Sequence, residues 1–365
     1  MPLGEVLKKD EAGIRVQEVR APRGLFDASG AFVKAGGLPP RDRAAYRHYL
    51  ARYLDTFPAR CLAGSRVLVY EHSSVAADAL REILAGLGAE VVRRGHSDRF
   101  IPVDTEAVRA EDVALAKDWA ATGDFDLLVS TDGDGDRPLV GDEQGSWLRG
   151  DVAGILTARF LDAEAVVTPV SSNTALEKSN WFPRVVRTRI GSPYVIEGMQ
   201  QAMDEGAGRV VGYEANGGFL TMTTTEVGGR RLDALPTRDA VIVALAVLLL
   251  ARRHDMRVSQ LGTLLPSRFT ASDRLQNFPT ELSARHVAQL AVGEDVIVGL
   301  FPTLGPVDHV DQTDGLRVTF ASGEVLHLRP SGNAPELRCY TEADTVERAL
   351  AMNAECLGLL DSWRE

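Results

Sequence analysis

The chain has 365 residues, and its 45% hydrophobic and 25% charged composition is that of a water-soluble protein of two to three domains. With 40 Lys plus Arg against 51 Asp plus Glu, the net charge of −11 excludes a general polyanion binder such as a nucleic-acid protein, so any phosphate must be held by local basic clusters. The widely spaced Cys61, Cys339 and Cys356 show no CxxC pairing, the charged start Met1–Glu11 is no signal peptide, and the longest apolar run, Ala240 to Ala251, is about half a membrane span; the expectation is a cytoplasmic protein with neither disulfides, a zinc site nor a membrane partner.

Residues 1–40 lack periodicity and carry Pro22, Gly24, Gly30, Gly36, Gly37, Pro39 and Pro40, the pattern of a loose lead-in. Tyr46, Tyr49, Leu50, Tyr53, Leu54 and Phe57 recur at three- and four-residue spacing and predict a helix over 41–57 whose tyrosine stripe is core. Strands are then expected at 66–70, 90–92 and 126–130, separated by helices at 75–87 and 110–121. Beyond Gly150 the alternation resumes, with helices at 151–161, 173–180 and 194–205 and strands at 165–169, 184–190 and 209–212, before a long helix at 237–254. Strands alternating with helices mean mainly parallel sheets. After Leu264 the expected strands at 316–320, 324–328 and 336–340 follow one another closely, and a helix over 345–363 ends the chain. The fold class is therefore α/β: two consecutive α/β domains with mainly parallel sheets, then a small C-terminal α+β domain.

Three loops carry chemistry. Ser130-Thr-Asp132-Gly-Asp134-Gly-Asp136-Arg137-Pro follows a strand directly, where open α/β sheets place their ligand sites. Three carboxylates at spacing two repel unless a cation compensates them, and hard oxygen ligands imply magnesium or calcium, with Arg137 as a positive fork alongside. An EF-hand also spaces Asp132, Asp134, Asp136 and Glu143 in this way, but that loop needs glycine where Arg137 stands and a helix where the strand precedes. A structural acidic turn is the other alternative. The second loop, Gly212-Tyr-Glu214-Ala-Asn216-Gly217-Gly218-Phe219, offers a carboxylate and an amide two residues apart to adjacent sugar hydroxyls, or is an ordinary Asn-Gly turn. The third, Arg329-Pro-Ser331-Gly332-Asn333-Ala-Pro-Glu-Leu-Arg338, presents backbone N–H groups and a hydroxyl to an anion between two arginines that can fork onto phosphate oxygens.

In this order, over roughly residues 41–365, the loops resemble the signature of the α-D-phosphohexomutase superfamily, the phosphomannomutases and phosphoglucomutases. Its D-G-D-x-D-R metal loop is matched by Asp132, Asp134, Asp136 and Arg137. Its G-E-x-S-G-H sugar loop is matched at Glu214, with Asn216 for serine and Gly218 for histidine. Its R-P-S-G-T-E-P phosphate loop is matched at Arg329, Ser331 and Gly332, with Asn333 for threonine, and Arg338 fits a later arginine. Thr188-Arg-Ile190-Gly191-Ser192 is similar to a further T-x-V-G-D loop. The resemblance implies interconversion of hexose 1-phosphate and 6-phosphate through a phosphoserine and a hexose bisphosphate. Mg2+ would sit on the three aspartates beside Arg137, the sugar on Glu214 and Asn216, and the distal phosphate on Arg329, Ser331, Gly332, Asn333 and Arg338.

The resemblance divides the chain into a first-domain remnant or linker (1–40), an α/β domain with the metal loop (41–150), an α/β domain with the sugar loop (151–258) and a C-terminal phosphate-binding α+β domain (259–365). The family's phosphoserine loop, T-A-S-H-N-P, has no counterpart. Ser73 and Ser74 read as caps of the helix at 75, and His96-Ser97-Asp98 as a connecting loop. The expectation is a poorly active form, with a separate chain as one source of the serine domain; the alternatives are a non-catalytic sugar-phosphate-binding protein and, less well supported, a metal-dependent phosphatase. The isolated His48, His254, His286, His309 and His327 are expected in surface or packing roles.

Overall fold

The computed structural model describes residues 4–20, 22–34, 36–37, 39–332 and 334–364. The lead-in contains a helix that periodicity does not reveal, α1 (Lys8–Arg15), which buries no residue. The tyrosine-striped α2 (Ala44–Leu54) follows, with Tyr53 fully buried.

The first sheet is built from β1 (Arg66–Tyr70), α3 (Ala77–Gly86), β2 (Glu90–Arg94), α4 (Ala110–Thr122), β3 (Leu127–Thr131) and β4 (Pro138–Gly141). Its order is β2-β1-β3-β4, parallel except for β4. Residues Leu127–Thr131 are buried without alternation because parallel strands are covered on both faces. The second unit repeats the plan with α5 (Gly150–Phe160), β5 (Ala165–Pro169), α6 (Ala175–Lys178), β6 (Arg184–Thr188), α7 (Ser192–Asp204), β7 (Val210–Tyr213) and β8 (Phe219–Thr221), in the order β6-β5-β7-β8 with β8 antiparallel. The helix expected over 173–180 is a single turn, because the Asn173 side chain bonds the Ala175 amide and Arg187 takes the carbonyls of Ser172 and Asn173.

A two-stranded ribbon, β9 (Thr225–Val227) and β10 (Arg230–Leu232), leads to α8 (Ala240–Arg253). This helix is apolar almost all round because it lies between the two α/β units and fills the core they share. Its 14 residues span about 21 Å, against about 30 Å of membrane hydrocarbon, and no helix among the described residues is long and apolar enough to cross a membrane.

The C-terminal part consists of β11 (Phe269–Gln276), α9 (Thr280–Leu290), α10 (Glu294–Leu300), β12 (Val307–Asp311), β13 (Leu316–Phe320), β14 (Val325–Pro330), β15 (Glu336–Ala343) and α11 (Val346–Asp361). Its sheet is wholly antiparallel, ordered β11-β15-β14-β13-β12. Strict alternation divides the sheet into two faces. Leu316, Val318, Phe320, Leu326, Leu328, Leu337 and Cys339 pack with Met352 and Cys356 of α11 into a separate core. The residues between them, Arg317, His327, Arg329, Arg338, Tyr340 and Glu342, share the opposite face, and several of these bond the α/β units or line cavities against them.

Candidate active site

The Asp132–Asp136 loop closes on its first carboxylate. Asp132 Oδ1 accepts from the amides of Gly135 and Arg137 at 3.1 and 3.2 Å, and the Asp132 amide donates to the Arg137 carbonyl at 3.1 Å. Gly135 makes the turn at φ +86°, a conformation that suits glycine. Strands, not helices, flank the loop, which removes the EF-hand reading. Carboxylate oxygens of Asp132, Asp134 and Asp136 lie within 4.8 Å of one another. Burial pushes the Asp132 carboxyl up to about 6; the Arg137 backbone bond opposes the rise, and the Asp134 and Asp136 charges add to it. Arg137 Nη1 stands 3.7 Å from Asp132 Oδ2. Asp136 turns to Arg238, whose Nη2 is 3.0 Å from Oδ2, while its buried Oδ1 finds no hydrogen-bond partner among the described residues.

The Glu214–Gly218 loop follows β7. The Glu214 amide bonds the Gly218 carbonyl, and Asn216 Oδ1 accepts from the Gly218 amide at 3.0 Å, so the Asn-Gly segment is a structural turn as well as a cavity wall. Gly150, at the start of α5, lies against this turn: a Cβ there would sit 2.5 Å from the Ala215 carbonyl oxygen and collide with the Gly217 amide. Glu214 is only 6% exposed, its carboxylate accepts no hydrogen bond among the described residues, and burial pushes it up to about 7 against the pull of Arg238 and Arg137.

Arg329 and Arg338 are direct cross-strand partners on β14 and β15. Like charges in that position are destabilising unless compensated. Arg329 Nε bonds Asp314 Oδ1 at 3.0 Å; Arg338 reaches Glu336 only at 3.8 Å, and its buried Nε is unpaired among the described residues. Asp314 also accepts from the Ile190 amide at 2.9 Å, joining the 188–192 loop to the C-terminal sheet. Ser331 is buried between the strands, its amide donating to the Glu336 carbonyl. Asn333 lies outside the described residues.

These distant segments meet. Asp132, Asp134, Arg137, Glu214, Asn216, Arg329, Ser331, Gly332 and Arg338 line one cavity of about 740 Å³. Among the expected residues with described side chains, only Asp136 falls outside the lining. The sequence reading missed Asp104, Thr105 and Glu106, which line the same cavity from the loop after β2. Thr105 Oγ1 ties that loop to the Asn216 carbonyl at 2.7 Å. Their position past the carboxyl end of a strand is the signal that could have found them. It also missed Arg238 and Asp314, polar residues with no motif around them.

Ser73 and Ser74 are not caps: α3 starts at Ala77 without a side-chain cap. Ser73 Oγ accepts from the Ile101 amide, and Ser74 Oγ bonds Thr131 Oγ1 and the Ala76 amide, which knits the neighbouring loops together.

Residues 149–269 match the phosphoglucomutase/phosphomannomutase alpha/beta/alpha domain III, and residues 275–358 match the phosphoglucomutase/phosphomannomutase C-terminal domain. The chain is 42% identical over 362 residues to a phosphomannomutase of Sinorhizobium fredii (strain NBRC 101917 / NGR234), an alignment covering 99% of this chain and 76% of that protein. The chain belongs to the phosphoglucomutase/phosphomannomutase family of the α-D-phosphohexomutase superfamily. Two solved structures share the fold. A putative phosphomannomutase from Thermus thermophilus superposes with a TM-score of 0.67 at 17% identity, over 98% of this chain and 73% of that one. Aspergillus fumigatus N-acetylphosphoglucosamine mutase, solved with GlcNAc-6P and magnesium, gives 0.56 at 14% identity, over 87% and 65%.

Proposed function

We propose that this chain acts as a phosphohexomutase that interconverts hexose 1-phosphate and 6-phosphate by way of a hexose bisphosphate. The observation that carries the reading is the shared cavity, whose lining combines Asp132, Asp134 and Arg137 of the first α/β unit with Arg329 and Arg338 of the C-terminal sheet. The arginine pair grips the phosphate that is not reacting, so remote binding positions the reacting end. Glu214 and Asn216 hold the sugar hydroxyls in either orientation, and Arg137 offers positive charge to the transferring group.

Magnesium fits the carboxylate cluster. Three carboxylates converge, and a buried Asp136 oxygen lacks a partner among the described residues; Asp132, Asp134 and Asp136 would hold the ion, which neutralises phosphate charge when bound. The reaction needs a phosphoserine as phosphoryl donor, and the sequence given holds no T-A-S-H-N-P run. We place the functional divisions near residues 150 and 258, in line with the three sheets, and the enzyme in the cytoplasm.

A coupled mutase assay with a bisphosphate activator tests the reading, on the chain alone and with an added N-terminal segment bearing a serine loop. Turnover should be low alone and rise at least about tenfold with the segment, given that nucleophile chemistry is not replaced by binding loops. Hexose-phosphate binding without any gain would turn the reading to a non-catalytic binding protein.

A further inference from the structure

A second cavity, of about 250 Å³, lies between the second α/β unit and the C-terminal sheet and shares no lining residue with the first. Thr174 and Lys178 face it from around α6, Arg187 from β6, and Asp311, Arg317 and Thr319 from the C-terminal sheet.

Two guanidinium groups meet there on unequal terms. Arg187 is saturated: it holds the Glu177 carboxylate at 2.7 and 2.8 Å and donates to the carbonyls of Pro169, Ser172 and Asn173. Arg317 makes one long contact, Nη1 to Thr319 Oγ1 at 3.5 Å, and pairs with no carboxylate among the described residues. Arg149, Arg268, Arg329 and Arg348 each hold one. The nearby Asp311 is engaged by the Thr313 amide at 2.7 Å. Burial and the Arg187 charge depress the Arg317 guanidinium, whereas Arg187 itself is raised by Glu177. Counting the lining side chains, Lys178, Arg187 and Arg317 exceed Glu177 and Asp311 by one positive charge. A partly buried guanidinium with unused N–H donors beside a second one is costly unless an anion joins it.

We propose that this cavity is a second anion site, which takes a phosphate-sized oxyanion on the Arg317 N–H groups with Lys178 closing the rim. The ligand is inorganic phosphate or the phosphate ester of a small metabolite. Arg317 belongs to the C-terminal sheet and Lys178 to the α/β unit, so occupancy ties together the two parts that also carry the phosphate and sugar loops. The inference does not rest on the mutase reading.

Calorimetric titration of the full chain with inorganic phosphate, and separately with a hexose 6-phosphate, tests the proposal in wild type, R329Q, R317Q and K178Q. Wild type should bind inorganic phosphate at two sites. R329Q should keep the Arg317 site, and R317Q should weaken that site at least about tenfold, the loss expected for a charge-assisted donor, while leaving hexose-phosphate binding at the first cavity unchanged. K178Q, on the exposed rim, should weaken the same site a few-fold and serves if R317Q does not fold. A hexose 6-phosphate isotherm with a second event lost in R317Q assigns the site to esters; a single event assigns it to free phosphate. Unchanged phosphate stoichiometry and affinity in both R317Q and K178Q, or loss of all phosphate binding in R329Q alone, overturns the proposal.

Discussion

Glu214 shows how a single buried carboxyl sets a pH window. Its ordinary value is 4.5 and its folded value about 7, so between these the folded chain keeps a proton that the unfolded chain has released. Stability therefore falls as pH rises through the window, and the loss is complete above about 7. At about 1.36 kcal/mol per pH unit the effect is on the order of 3 kcal/mol. E214Q should melt above wild type at pH 8, with the gap closing by pH 5; parallel melting curves at the two values would contradict the burial argument. The opposing cost is functional, because the glutamine no longer offers a carboxylate to a sugar hydroxyl. At the arginine pair, R338Q removes a donor that Glu336 engages only at 3.8 Å. It should weaken hexose-phosphate binding about 10- to 100-fold, the range of a charge-assisted hydrogen bond, without lowering the melting temperature. The carboxylate cluster makes a third test: millimolar magnesium should raise the melting temperature of wild type by ligand linkage, and D134N should abolish the rise.

At the scale of elements, α5 and the Glu214–Gly218 turn hold each other by backbone contact, with Gly150 as the point of closest approach. G150A forces the turn outward. The expected cost is about 1–3 kcal/mol, typical of an overpacked site, measurable by urea unfolding, with a larger proportional loss of hexose-phosphate affinity because Glu214 and Asn216 move with the turn. No pattern in the sequence announces this contact, since Gly150 reads as a domain break. The central strands were legible because burial on both faces leaves unbroken apolar runs such as 67–70 and 127–129. Less visible were elements with little to bury. Helix α1 has no buried residue, and β12 is an edge strand without a buried position. β11 buries only Ala271 among its eight residues. The site loops were legible where a motif concentrates charge, as at Asp132–Arg137 and Arg329–Arg338. Asp104 and Glu106 were not, because an acidic loop that turns into a cavity has the same composition as one that turns to water.

Across the whole molecule, the cavity exists only while the C-terminal sheet stays docked on the α/β units, and a buried polar network does that docking. Arg268, 6% exposed, bonds Glu342 Oε1 at 2.6 Å, Asp344 at 2.6 Å and the Gly323 carbonyl. Glu342 reaches across to the amide and hydroxyl of Thr174, and Asn173 donates to the Arg268 carbonyl and to Thr270 Oγ1 at 2.9 Å. Arg149 and Asp151 extend the network: Arg149 Nη1 meets Ser272 Oγ at 3.3 Å, and Asp151 Oδ2 accepts from the Asn173 amide. The Glu342–Thr174, Asn173–Thr270 and Arg149–Ser272 bonds cross the junction while Arg268 holds Glu342 in place, so the network is favourable only when complete. Removing one partner strands the other charge in a buried place, which costs about 3–5 kcal/mol. E342Q leaves the Arg268 guanidinium with only the largely exposed Asp344 as its acid. The expected result is a C-terminal part that melts ahead of the α/β units, resolved by calorimetry as two transitions in place of one. Hexose-phosphate affinity should fall in the same variant, although Glu342 lies outside the cavity lining. A single transition at the wild-type temperature with unchanged affinity would mean that apolar contact alone keeps Arg329 and Arg338 in the lining of the shared cavity.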